Sequence, residues 1–175
     1  MSTDAAPIKP LSRAQRPIAQ HLVEGLSTAE IAGRVWVTDS TVTSHLRRIR
    51  SNLHCDTRCS RAVLAHALLQ ADLVKPPVLP PLFKPFTPSP AALLLLRAIA
   101  EHSAAADIAR AAKVAPSSLG ARTRKLMYAM RAHDAAHLVG LGHTLGLLPT
   151  QQSADTMTDR QASAPRSVPP RTRTP

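Results

Sequence analysis

Between Thr38 and Leu53 the apolar residues fall on one helical face. Val42, Leu46, Ile49 and Leu53 stand at i, i+4, i+7 and i+11, the spacing of a stripe turned to a core. Thr43, Ser44, Arg47, Arg48, Arg50 and Ser51 fall on the other side, which carries three arginines and no acid. Thr38 is placed to cap the helix start by accepting from a free backbone N–H of the first turn. Upstream, residues 11–24 predict a first helix with Ile18, Leu22 and Val23 inward, Pro17 near its first turns, and Gly25 as a left-handed end. Ser27-Thr28-Ala29-Glu30 has the form of a capping box and predicts a second, short helix burying Ile31, Ala32 and Val35. Trp36 and Val37 are expected to fill the turn that follows, Trp36 as a plug in the core rather than a base-stacking group. After Leu53 a short break leads into a fourth helix, from about Thr57 to Ala71, offering Ala62, Val63, Ala65, Leu68 and Leu69.

Helix, tight turn, helix with an arginine face is the helix-turn-helix layout. An arginine can fork onto guanine or clamp a phosphate, and small hydroxyls permit close approach to a groove. An amphipathic surface helix with solvated arginines has the same pattern, so the surroundings decide between the two. Those surroundings, EGLSTAEIAGRVWVTDSTVTSHLRRIRSNL, resemble the LuxR/FixJ-type DNA-binding domain of bacterial transcription regulators. The matching residues are Gly25, Ser27, Glu30, Ile31, Ala32, Val37, Thr41, Val42, His45, Ile49 and Leu53, then Arg58 and Ala62, with Leu11-Ser12 at the opening. The resemblance covers residues 11 to about 69. It implies a four-helix domain that inserts its third helix into the major groove of double-stranded DNA, with base contacts near Thr43, Ser44 and Arg47. It also implies a fourth helix of the kind often used for dimerisation. His45, Arg48 and Arg50 are assigned to the phosphate backbone or to fixing the helix. The family usually carries a glutamate at Gln15 and lysines at Thr43 and Asn52; losing both lysines lowers the expected phosphate affinity, for which Arg47, Arg48 and Arg50 compensate.

A second apolar pattern repeats the first at an offset of 77 residues. Ile31 lands on Ile108, Val37 on Val114, Val42 on Leu119, Arg47 on Arg124, Ile49 on Leu126 and Leu53 on Met130. A fixed offset over this many positions points to duplication, the alternative being coincidence between two alanine-rich segments. Thr123 stands where Leu46 was, and Gly120 and Ala121 replace Thr43 and Ser44, which removes base-reading hydroxyls. Ala115 replaces the Thr38 cap, although Pro116 suits a first turn. Arg122, Arg124 and Lys125 remain as candidates for DNA-backbone contacts, and a purely stabilising role for this copy stands beside that reading.

The fold class expected is all-α: tandem four-helix helix-turn-helix domains joined by a proline-rich linker. The boundaries are residues 1–10 as a disordered arm, 11–74 and 86–148 as the two domains, 75–85 as the linker and 149–175 as a disordered tail. The formal net charge of +11 draws such a chain to polyanions, nucleic acid first. One Trp, one Tyr and two Phe argue against single-strand binding on aromatic platforms. No signal peptide opens the chain and the longest apolar run, Ala91 to Leu96, is too short to cross a bilayer, so the expected location is the cytoplasm with both thiols reduced.

His54, Cys55 and Cys59, and separately His133, His137 and His143, cluster in sequence without zinc-site or metalloprotease spacing. No cofactor, metal or enzymatic activity is expected. Because only ten residues precede the first helix, no sensor domain is expected either. The function this predicts is a sequence-specific, double-stranded DNA-binding transcription regulator, as a homodimer or an intramolecular pseudo-dimer, away from membranes. The competing reading is a protein-interaction module that acts on RNA polymerase or another regulator.

Overall fold

The computed structural model describes residues 8–79 and 87–149; expectations for the start of the arm, the middle of the linker and the tail lie outside them. Eight α-helices and no strand are present among the described residues. They are α1 (Gln15–Val23), α2 (Thr28–Val35), α3 (Asp39–Asn52), α4 (Arg61–Gln70), α5 (Pro90–Glu101), α6 (Ala105–Ala111), α7 (Pro116–Met130) and α8 (Ala135–Thr144).

The helix ends follow local chemistry. Gly25 leaves α1 at φ +83, its N–H bonded to the Leu22 carbonyl and the Leu26 N–H to that of His21, which closes the helix on a left-handed residue. Ser27 and Glu30 form the complete capping box on α2. Thr38 Oγ1 accepts from the Thr41 N–H at 3.3 Å. The first helix begins four residues later than expected, because Ser12 and Gln15 exchange side-chain and backbone bonds just before it. The fourth begins at Ser60, whose hydroxyl caps it, rather than near Thr57. On α7 no side chain caps Ala115 and Pro116 takes the first turn, as the sequence indicates.

Two expectations of the first half are corrected. Trp36 is no core plug: it is 92% exposed. It closes α2 in the left-handed region, at φ 58 and ψ 45, and that turn of the backbone carries its side chain out of the domain. Ile8–Pro10 are not a free arm, since the Lys9 N–H donates to Asn52 Oδ1 at 3.1 Å and Asn52 Nδ2 donates back to the Lys9 carbonyl at 2.6 Å. Asn52, where a family lysine usually stands, thus ties the arm down, and Leu11 is buried beneath it.

The stripe of α3 is buried as its spacing predicts, with Val42 and Ile49 fully covered. It packs on α1 and α2, while α7 packs on α6 and α8. The two halves meet through α4 and α8, the most extensively paired helices of the molecule. α4 buries Ala62, Leu64, Ala65, His66, Leu68 and Leu69, and α8 buries every residue from Ala136 to His143. The two cores trade an alanine, for Ala62 of α4 belongs to the second and Ala136 of α8 to the first. Polar links cross the same seam. Arg61, bonded within the first half to the Leu26 carbonyl, faces Asp134 at 3.7 Å, and the Ser60 N–H donates to Ser103 Oγ at 2.9 Å. The start of the linker is held too, with Gln20 bonded to both backbone groups of Lys75 and Thr144 Oγ1 donating to the Pro77 carbonyl. Gly140 allows this approach: a Cβ there would meet Pro77 at 2.9 Å.

Candidate nucleic-acid interface

The outer face of α3 is open. Thr43, Ser44, Arg47 and Arg48 are exposed side by side, and among the described residues none covers that face, whereas Val42, Leu46 and Ile49 anchor the opposite one. A short helix held by one apolar face and presenting guanidinium groups and hydroxyls on the other has the size and chemistry of a major-groove reader. The Thr43 hydroxyl donates to the Asp39 carbonyl at 2.9 Å, so its proton is used within the helix. What it offers outward is a lone pair and a methyl group.

His45 and Arg50 differ from those four. Both are half-buried, and His45 Nδ1 and Arg50 Nε are shielded from solvent without a hydrogen-bond partner. An arginine held partly inside has less reach toward a phosphate than Arg47 or Arg48.

In the second half, Arg122, Arg124 and Lys125 are exposed on α7. Tyr128, 88% exposed, stands on the same helix. The open positions Gly120 and Ala121 leave this helix without hydroxyls where α3 carries Thr43 and Ser44. The expected residues thus lie in two basic groups, one on α3 and one on α7.

The histidine and cysteine groups are occupied within the fold. Cys55 and Cys59 are free thiols, and burial together with the neighbouring Cys59 pushes the Cys55 thiol up to about 11. At neutral pH such a thiol is protonated and unreactive. His133 stacks on His137 with ring centroids 4.9 Å apart, and the His133 backbone N–H donates to His137 Nδ1. Among the described residues no three His, Cys, Asp or Glu side chains are placed to hold a metal ion.

Sequence reasoning missed the pair at the seam. His66 Nδ1 lies 2.8 Å from His143 Nε2, both rings buried between α4 and α8. Burial lowers both from the usual imidazole value, His143 to about 4, with His66 adding to the effect on it and Glu101 opposing it on His66. The signal was present, since each histidine interrupts an otherwise apolar run, AVLAHALL and LVGLGH. A polar residue in a helix that is apolar all round needs a buried partner.

The comparisons with known proteins agree with this geometry where they reach. The model of the luxR family of bacterial regulatory proteins matches residues 9–65, from the tied-down arm into α4. No curated protein and no solved structure matches the chain. No helix of the described residues is long and apolar enough to cross a membrane.

Proposed function

We propose that this chain, whose residues 9–65 form a LuxR-type helix-turn-helix domain of the DNA-binding regulator class, reads a specific duplex sequence through α3 and so regulates transcription. The observation that carries the proposal is the open face of α3. Arg47 is assigned to base edges, where a bidentate guanidinium discriminates guanine. Thr43 and Ser44 assist as acceptors and small apolar contacts. Arg48 takes phosphate, and His45 and Arg50 serve mainly to fix the helix.

The second half contributes phosphate contacts through Arg122, Arg124 and Lys125, without reading bases. The pairing of α4 with α8 supports an intramolecular pseudo-dimer. A helix that related domains use to join two chains is here covered by a helix of the same chain, so two DNA-facing units come in one polypeptide. The four helices of each half, in the same order and with α2–α6 and α3–α7 starting 77 residues apart, favour duplication as the origin.

The test is selection of bound duplexes from a random pool, followed by affinity against salt for wild type and Arg47→Ala. An enriched motif, a steep fall in affinity with salt, and loss of the motif in Arg47→Ala are expected. Weak binding that enriches nothing and ignores Arg47 would overturn the proposal in favour of a module that docks on a protein such as RNA polymerase.

A further inference from the structure

We infer that Trp36 is itself part of the DNA contact, its indole packing on the sugar–phosphate wall beside the groove that α3 enters. The inference rests on the duplex-reading proposal and adds a residue to it.

The Trp36 side chain packs against little of the fold. It is the sole tryptophan of the chain, and it is 92% exposed beside Val37, itself 38% exposed. Its backbone sits at φ 58, a region that a bulky L-residue occupies at a cost and that glycine occupies freely. A large side chain that adds little packing and strains the turn contributes mainly through something outside the domain. Tryptophan combines a broad apolar face with one N–H donor, which is why it is enriched where one side is apolar and the other wet.

Position and charge favour a DNA backbone over a protein surface. Two peptide links separate Trp36 from the Thr38 cap of α3, so its Cα lies within about 8 Å of the helix start. That end of α3 also presents Ser40, Thr43 and Ser44 to solvent. As the helix enters a groove, the turn before it meets the strand that borders the groove. Deoxyribose offers an apolar surface for the ring, and the adjacent phosphate accepts from Nε1–H. Arg34 is exposed two residues before Trp36 and Asp39 three residues after it, while Arg47 and Arg48 stand further along the same helix, so the cations of the first half lie on the elements that flank the ring.

A sole tryptophan makes the test direct. The full chain is titrated with a labelled duplex carrying the selected motif, or a random-sequence duplex at low salt if none is selected. Label anisotropy reports binding, and acrylamide quenching of Trp36 fluorescence reports its exposure. Bound duplex should shield Trp36 from acrylamide. Trp36→Gly should melt no lower than wild type, because glycine suits the left-handed turn, yet bind about ten-fold more weakly. Trp36→Phe should recover part of the loss. If duplex binds in an Arg47-dependent way while Trp36 stays as quenchable as before, or Trp36→Gly binds like wild type, the inference fails and the DNA-reading proposal stands; the indole then serves a protein partner. If no duplex binds at any salt concentration, both fail together.

Discussion

Arg47 and Arg48 are neighbours in sequence and both exposed, yet their replacement should be told apart by what is measured. Arg47→Ala should lose roughly 1–3 kcal/mol of discrimination at one base pair while keeping most of the non-specific affinity. Arg48→Ala should weaken binding evenly across sequences and lower the slope of log affinity against log salt by about one. Equal effects of the two on every sequence would contradict the division between reading and clamping. The His66–His143 pair makes a second residue-scale prediction, in pH. The unfolded chain protonates His143 near its ordinary 6.5, whereas the folded chain refuses that proton until about pH 4. The stability this confers is therefore complete above pH 6.5, declines as pH falls toward 4 and then levels, by at most about 3 kcal/mol. The double variant His66→Leu/His143→Leu should flatten that acid limb in denaturant melts, and an unchanged limb would sink the assignment. His137, whose basicity burial also depresses, adds to the same slope.

At the scale of the element, caps and left-handed ends make the predictions. Ala115 occupies an extended cap position on α7 with nothing to bind the first turn. Ala115→Ser should raise stability by about 0.5–1 kcal/mol, read as a shift in denaturant midpoint at constant slope. Gly25 is the opposite case. A Cβ there would lie 2.7 Å from His137 Cβ, and its φ of +83 resists any side chain. Gly25→Ala should cost roughly 2 kcal/mol or more, measured the same way, because strain and the closed gap against α8 act together. These elements were legible in sequence because capping boxes, left-handed glycines and i, i+4 stripes involve residues within a turn or two. The reach of the first and fourth helices was less so. Ser12–Gln15 and Ser60 compete locally with helix, and that competition shifted each start by several residues.

The whole molecule hangs on α4 and α8. Because α4 and α8 pair so extensively and each core takes in an alanine from the other half, unfolding should be a single cooperative transition, with calorimetric and van't Hoff enthalpies in agreement. Residues 1–79 expressed alone would leave Ala62 and His66 of α4 without their partners from the second half. That fragment should self-associate in sedimentation at concentrations where the full chain does not, and a stable monomeric fragment would argue against the seam as the organising contact.

Sequence by itself determined the all-helical class, the helix-turn-helix register, the apolar stripe of α3 and the weaker cap of α7. Each rests on periodicity and on bonds between residues a few positions apart. It did not determine which way Trp36 points, that Asn52 holds the arm, that Arg50 and His45 are half withdrawn from the arginine face, or that α4 covers α8. Exposure and partnership at those positions depend on residues tens of positions away, brought near only when the two halves pack. Trp36 shows the difference most plainly. Its hydrophobicity argued for the interior, but one left-handed residue at the end of α2 turned the ring to solvent, and no local pattern records that turn.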